Sequence, residues 1–258
     1  MTAGKTSDTM KKLFLLPTVL FLTVATGRAQ EVYFTTEQLP DLIRSLPAPP
    51  DSLSHGFAYD VMQYQWGKAQ RADSARVEMA KRDAVWSYEA LLNELAVPFG
   101  LALSKEDTPA TWTVLVNSLA TTDQMRVAPK AYYHRRRPFE VFNEKMLTGE
   151  EAELSGEGSY PSGHTMRGWT AALLLAQINP VAADALYARA WDYGISRVIA
   201  GAHWQSDVDV TRVAASIGFS RLQTSARFQA EMAQAQEEFR RLTMAEGRQG
   251  REYSFPVH

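Results

Sequence analysis

The sequence predicts an all-α fold built as a single domain. Apolar residues recur at intervals of three and four through most of the chain, which is the period of an amphipathic helix. No segment shows the alternation of apolar and polar residues that is typical of a half-buried strand. The chain has 258 residues, of which 45 % are hydrophobic, and this suffices for one sizeable core.

The first 29 residues predict a cleaved signal peptide. Lys11 and Lys12 form a positive start, and an apolar run of 13 residues follows from Leu13 to Ala25. Small residues at 27 and 29 then suit cleavage after Ala29. A membrane anchor is the weaker alternative, because a helix needs about 20 apolar residues to span a bilayer. We therefore expect a periplasmic or secreted protein without stable membrane association after cleavage, and Met10 is an alternative start.

The remaining elements follow in order along the chain. Residues 30–56 are rich in proline and predict an N-terminal segment with at most one short helix, near 39–46. Helical periodicity then predicts a domain over 57–246, interrupted at Pro98–Gly100. Its helices are predicted over residues 57–70, 75–95, 111–125, 165–178, 181–200, 205–224 and 226–246. Residues 140–158 predict a loop with at most one helical turn, and 247–258 predict a polar tail.

Composition excludes several kinds of partner and site. The absence of cysteine excludes disulfides, thiolate zinc sites, iron–sulfur clusters and a cysteine nucleophile. The formal net charge is −2, and it becomes −5 without residues 1–29, because four cations and one aspartate leave with them. Such an acidic chain does not predict a nucleic-acid partner. A local cluster of cations therefore needs an explanation of its own.

One such cluster runs from Lys130 to Arg137 and is followed by Pro138. Together with Arg126 it holds five cations in twelve residues. Arginine presents a planar fork to phosphate oxygens and lysine adds a mobile point charge, so the cluster predicts an anion clamp. A solvated basic face is the alternative for this cluster taken alone, since runs of charge are usually exposed.

A second candidate site is the segment from Ser159 to Thr165, directly before a predicted helix. Ser162 is suited to cap the helix, and Gly163 lets the backbone approach a ligand closely. The free N–H groups of a helix N-terminus favour an anion, and His164 stands at that point. Taken alone, the segment is equally compatible with an ordinary capped helix and a surface histidine.

The third candidate site lies between Ser196 and Asp207. His203 and Asp207 are four residues apart, which places both side chains on one face of a helix. A carboxylate there can accept the Nδ1–H of the imidazole and leave Nε2 with its lone pair, as in an activated histidine. Arg197 supplies a further fork. A structural histidine or a surface ion pair is the alternative for this segment alone.

The order of these segments resembles the signature of the type-2 phosphatidic acid phosphatase superfamily. The signature elements are Lys-x6-Arg-Pro, Pro-Ser-Gly-His and Ser-Arg-x5-His-x3-Asp, and no position of this chain departs from them. Residues 158–165 and 197–209 are similar to class A bacterial non-specific acid phosphatases beyond that minimum. The resemblance implies a compact helical bundle of the acid phosphatase and vanadium haloperoxidase type.

The resemblance also implies a role for each motif residue. His203 would be the nucleophile that forms a phosphohistidine, Asp207 would orient it, and His164 would protonate the leaving group and later activate water. The implied phosphate clamp has five members: Lys130, Arg137, Ser162, Gly163 and Arg197. No cofactor and no metal are implied, and His55 and His134 remain as surface residues.

The implied substrates are small phosphate monoesters of broad range, with inhibition by vanadate. An acid pH optimum is expected, because His164 must be protonated while His203 is neutral. Two alternatives remain: a vanadate-dependent haloperoxidase that uses the same oxyanion pocket, and a non-catalytic periplasmic phosphate-binding protein. A homo-oligomer is compatible with the class.

Overall fold

All regular structure in the described residues is helical. The computed structural model describes Met1 and residues 31–245, so the predicted signal peptide 1–29, apart from Met1, and the tail 247–258 lie outside the described residues. The α-helices are α1 Leu42–Ser45, α2 His55–Ala69, α3 Ser74–Asp83, α4 Tyr88–Phe99, α5 Pro109–Asp123, α6 Val127–Tyr133, α7 Pro138–Phe142, α8 Glu151–Leu154, α9 Gly163–Ile178, α10 Ala183–Ala200, α11 Gln205–Leu222 and α12 Ala226–Ala245. The predicted all-α class is confirmed.

Helix α9 lies at the centre of this arrangement. It packs against α10, α11 and α5, and α12 packs against α5 in turn. Its Ala171, Leu174 and Leu175 are fully buried, and burial of each leucine side chain stabilises the fold by about 1.5–3 kcal/mol. Because α9 begins at Gly163, the packing that buries this helix also fixes the second sequence motif inside the protein.

A close approach between α9 and α10 depends on one glycine. A side-chain carbon at Gly168 would lie 2.7 Å from Cδ1 of Tyr193, which is closer than two carbon atoms approach. Glycine therefore lets the two helices lie side by side. Helix α10 carries Arg197 in its last turn, so this contact brings the second and third motifs together.

Most predicted helices are confirmed, with ends shifted by a few residues. The predictions over 57–70, 111–125, 165–178, 181–200, 205–224 and 226–246 correspond to α2, α5, α9, α10, α11 and α12. The turn allowed within 140–158 corresponds to α8, and the end of α7 also reaches into this segment, to Phe142. None of the described helices combines the length and apolar character needed to cross a bilayer.

The prediction of one helix over 75–95 is wrong. The structure has two helices there, α3 and α4, because Ser87 starts a new helix: its backbone is extended and its hydroxyl accepts the Ala90 N–H at 3.0 Å. Pro98 lies inside α4 although it has no N–H to donate to the preceding turn, and the helix ends soon after it, at Gly100 with φ of 93°.

Helix α6 overlaps the basic cluster and α7 follows it directly, and the sequence analysis placed no helix at either position. Both are short. Pro138 occupies the first position of α7, which needs no N–H donor, and Glu140 accepts the Arg137 N–H at 2.7 Å. This local arrangement places Arg137 at the start of a helix with a fixed backbone direction.

Candidate active site

The three sequence motifs converge on one cavity of about 430 Å³. Six of the eight predicted site residues line it: Lys130, Arg137, Gly163, His164, Arg197 and His203. They come from α6, the start of α7, the start of α9, the end of α10 and the segment before α11. Arg126 lines the cavity as well, so the cavity combines four cations with two imidazoles, which suits it to a tetrahedral oxyanion.

Gly158 fixes the position of the Lys130 side chain. The Nζ of Lys130 donates to the Gly158 carbonyl at 2.5 Å. A side-chain carbon at residue 158 would lie 2.5 Å from the Lys130 carbonyl oxygen, so only glycine fits at this approach. Burial and the adjacent Arg137 guanidinium lower the pKa of Lys130 to about 8.

The hydrogen bonds of His203 define its tautomer. Its Nε2 lies 3.1 Å from Nη1 of Arg137, and a guanidinium can only donate, so Nε2 is the acceptor. The lone pair is therefore on Nε2 and the proton is on Nδ1. The ring is buried, and burial together with Arg137, Lys130 and Arg197 keeps the pKa of His203 well below its ordinary value.

Asp207 is held by groups other than His203. Its Oδ1 accepts from Nη1 of Arg135 at 2.5 Å, and its Oδ2 accepts the Trp204 N–H at 2.9 Å. The Nδ1 of His203 lies 3.5 Å from Oδ2, which is longer than an ordinary hydrogen bond. Asp207 faces the proton-bearing nitrogen, as the spacing predicts, but Arg135 holds it more closely. The sequence signature does not single out Arg135 within the basic cluster.

His164 has the opposite tautomer. Its Nε2 lies 3.1 Å from the Ala84 carbonyl oxygen, which can only accept, so Nε2 carries the proton and Nδ1 the lone pair. Burial, followed by the charge of Arg197, lowers the pKa of His164 well below its ordinary value. Both imidazoles in the cavity are thus neutral near pH 7 while no anion is bound.

Comparisons with known proteins concern the same three motifs. A family model described as the PAP2 superfamily matches residues 111–227, which contain all the predicted site residues. A non-specific acid phosphatase of Salmonella typhi is 38 % identical over 228 residues, covering 88 % of this chain and 90 % of that protein.

The chain belongs to the PAP2 superfamily. Within it, two further non-specific acid phosphatases resemble the chain over most of its length. The protein of Salmonella typhimurium is 41 % identical, and the match covers 75 % of this chain and 78 % of that protein. The protein of Providencia stuartii is 35 % identical, and the match covers 81 % of this chain and 85 % of that protein. These relatives confirm the resemblance to non-specific acid phosphatases that the motifs indicate.

Two carboxylates form ion pairs with the motif cations in the cavity. Glu150 forms a two-pronged ion pair with Arg197, with both N–O distances at 3.0 Å. Glu157 lies 3.2 Å from Nζ of Lys130 and 3.7 Å from Nη2 of Arg137. Both glutamates belong to the 140–158 segment, which is therefore in direct contact with the clamp. The acidic composition of this segment was visible in the sequence, but its contact with the clamp was not.

Ser162 does not line the cavity, and the two histidines without a role in the motifs lie on the surface. Ser162 is buried, and its hydroxyl accepts the Thr165 N–H at 3.3 Å, so it caps α9. A hydrogen bond from Ser162 to phosphate stays a prediction. His55 and His134 are exposed. Among residues 31–245, no three His, Asp or Glu side chains come together as a metal site would require.

Proposed function

We propose that this chain, an acid phosphatase by family, hydrolyses a broad range of small phosphate monoesters through a phosphohistidine at His203. One observation carries the proposal: Lys130, Arg137 and Arg197 line a single cavity together with two neutral imidazoles, and the Nε2 lone pair of His203 points at Arg137 inside it. A dianionic phosphate bound to these cations would lie next to that lone pair. Positioning and electrostatics then supply most of the catalysis.

Binding exchanges one set of anions for another. The phosphate oxygens take the places that the carboxylates of Glu150 and Glu157 hold on Arg197, Lys130 and Arg137. The N-terminus of α9, a helix of 16 residues that starts at Gly163, adds a favourable dipole. Three cations on the equatorial oxygens withdraw charge, which makes the phosphorus more electrophilic.

Catalysis follows in two displacements. First, Nε2 of His203 attacks phosphorus, the ester P–O bond breaks, and protonated His164 gives its proton to the leaving oxygen. The phosphoimidazolium keeps the Nδ1 proton and is stabilised by Asp207. Then neutral His164 takes a proton from water, the resulting hydroxide attacks phosphorus, and the P–N bond breaks. Orthophosphate leaves and His203 is neutral again.

The charges around the imidazoles favour an acid pH optimum. The neighbouring cations keep His203 neutral, and therefore nucleophilic, down to acid pH. His164 must be protonated, and its lowered pKa means that this form is populated only at acid pH or once a bound anion offsets Arg197. We expect kcat to fall as pH rises through the pKa of His164 in the substrate complex.

Metal independence and export are further parts of the proposal. Lys130, Arg137 and Arg197 provide three fixed positive charges where many phosphoryl-transfer enzymes use divalent cations. The signal predicted at residues 1–29 would direct the chain to the periplasm or the medium. Small phosphomonoesters with diverse leaving groups are the expected substrates.

The function can be tested with purified protein, a small aryl phosphate and excess chelator at acid pH. We expect turnover that survives chelation and is inhibited by vanadate. A rapid acid-free quench of phosphorus-labelled substrate should trap a protein-bound phosphate that is labile to acid and stable to base. Tight phosphate binding without turnover would refute the proposal in favour of a binding protein. Halide oxidation by peroxide after vanadate loading, without phosphatase turnover, would refute it in favour of a haloperoxidase.

Phosphate affinity is expected to fall above about pH 8. The pKa of Lys130 is lowered to about 8, so the charge of this clamp member is lost in a range where an ordinary lysine stays protonated. The inhibition constant of inorganic phosphate should rise about tenfold per pH unit beyond that point. In Lys130→Arg the charge persists and this dependence should disappear. A constant that is flat from pH 7 to 9.5 in the wild type would contradict the assignment.

Removing the charge of Glu150 is expected to tighten binding. In Glu150→Gln the amide keeps the side-chain shape, but Arg197 no longer has a competing carboxylate. KM and the inhibition constant of phosphate should fall by about 3- to 10-fold, because more of the protein is ready to bind. Glu153→Gln is the matched control: Glu153 lines the same cavity but forms no ion pair with the clamp among the described residues. Equal effects of both variants would show that only the overall charge matters.

A further inference from the structure

A second buried carboxylate lies behind the candidate nucleophile. Asp60 is on α2, is fully buried, and lies outside the part of the chain that the PAP2 family model matches. Arg135 joins it to Asp207: Nη2 donates to Asp60 Oδ2 at 2.6 Å, and Nη1 donates to Asp207 Oδ1 at 2.5 Å. One guanidinium therefore bridges two carboxylates that have no contact with solvent.

The bridge is completed by Ser206. Its N–H donates to Asp60 Oδ1 at 2.8 Å, and its hydroxyl donates to Asp60 Oδ2 at 2.6 Å. The same hydroxyl accepts from Nη1 of Arg135 at 2.8 Å. The guanidinium also lies over the Trp204 ring, 5.5 Å from its centroid. Donors therefore surround both oxygens of Asp60, and these hydrogen bonds leave little freedom to Arg135.

The charges in this network decide what Asp207 can do for His203. Alone, the Arg135 cation would neutralise the Asp207 anion. With Asp60 present, the two carboxylates outnumber the single guanidinium, so the network keeps a net negative charge on the Nδ1 side of the imidazole. The side chains that act most strongly on His203 are cations and one histidine, namely Lys130, Arg137, Arg197 and His164. The carboxylates of Glu150 and Glu157 line the same cavity and pair with these cations. Asp207 is the counter-ion on the opposite side of the ring.

We infer that Asp60 and Arg135 are positioning residues for the nucleophile. Arg135 fixes Asp207 against the Nδ1 side of His203, and Asp60 cancels the charge of Arg135, so that the charge of Asp207 stabilises the phosphoimidazolium. This inference rests on the proposed function, because it gives the network its role through His203. It adds a residue on α2 to a site whose sequence motifs all lie between residues 130 and 207.

The variant that tests the inference is Asp60→Asn. The amide keeps the shape of the side chain but leaves Arg135 to neutralise Asp207. We expect kcat and the single-turnover rate of phosphohistidine formation to fall by about 10- to 100-fold, with KM within about twofold of the wild type. The acidic limb of the kcat/KM profile should move to lower pH, because the loss of a negative charge disfavours protonation of His203.

Two further variants and a control separate positioning from general stability. Arg135→Lys keeps a positive charge but cannot bridge both carboxylates, so a similar loss in kcat is expected. Ser206→Ala removes one hydrogen bond to Asp60 and should cost a few-fold. Glu238→Gln is the control, since this buried carboxylate accepts the Ala110 and Thr111 N–H groups at the start of α5, away from the cavity. It should lower the melting temperature and leave kcat and the pH profile unchanged.

The outcomes of these experiments separate the positioning role of Asp60 and Arg135 from the proposed phosphatase mechanism. The positioning role would be overturned if the Asp60, Arg135 and Ser206 variants that fold all keep the wild-type kcat and the wild-type pH profile. A loss that Glu238→Gln reproduces would overturn it as well, because the effect would then be one of stability. If instead the wild type forms no phosphohistidine while it hydrolyses substrate, the proposed function fails, and that result is independent of these variants.

Discussion

Replacing His203 with alanine is expected to lower kcat for phosphate monoesters by on the order of 10⁴-fold or more. The substitution removes the Nε2 lone pair that attacks phosphorus, and no other described side chain in the cavity offers a nucleophile of comparable strength in the same place. The cations Lys130, Arg137 and Arg197 remain. We therefore expect phosphate and vanadate to bind still, which separates loss of chemistry from loss of the pocket.

The measurement is steady-state hydrolysis together with phosphate binding by calorimetry. His55→Ala is a suitable control, because His55 is exposed at the start of α2 and lies outside the cavity. That variant should keep the wild-type rate. Turnover that persists in His203→Ala at more than about a hundredth of the wild-type kcat would mean that water attacks the ester directly. The phosphohistidine would then be refuted while the clamp survives.

Replacing His164 with glutamine should have an effect that depends on the leaving group. An alkoxide needs a proton as it departs, so hydrolysis of an alkyl phosphate such as glycerol phosphate should slow by about 10²- to 10⁴-fold. A nitrophenolate leaves without protonation, so an aryl ester should lose much less in the first step. The alkaline fall in kcat assigned to His164 should also disappear from the pH profile.

The test compares the two esters in the wild type and the variant, with single-turnover measurements to isolate the first displacement. Equal losses for alkyl and aryl esters would contradict the role of His164 as general acid. The lowered pKa of His164 adds a second check, since a bound anion should raise it. Histidine NMR with and without vanadate would detect that change. A pKa that stays unaltered on vanadate binding would mean that His164 does not sense the anion.

The helical class and the grouping of motif residues could be predicted from the sequence because both rest on local patterns. Periodicity indicates buried helix faces, as in α9. The three motifs supply cations and imidazoles that can act on one anion only if they lie close together in the fold. The division between α3 and α4 was missed because the apolar period continues across it. There the hydrogen bond of Ser87 outweighs periodicity.

The contacts between segments far apart in the chain could not be predicted. Asp60 reads as one polar residue on an amphipathic helix, and only the packing of α2 brings it to Arg135. In the sequence Glu150 and Glu157 belong to an acidic loop, and only the fold brings them into contact with the clamp cations. A sequence gives the type and spacing of such residues, whereas their partners depend on tertiary geometry.

The ion pairs of Glu150 and Glu157 bear on how product is released. Orthophosphate is an anion, as is the ester from which it comes, so cations without a competing carboxylate in this pocket would retain it and slow each cycle. Carboxylates tethered beside the pocket compete for the vacated cations at high local concentration. We therefore expect Glu150 and Glu157 to lower the affinity for substrate and to speed the departure of phosphate.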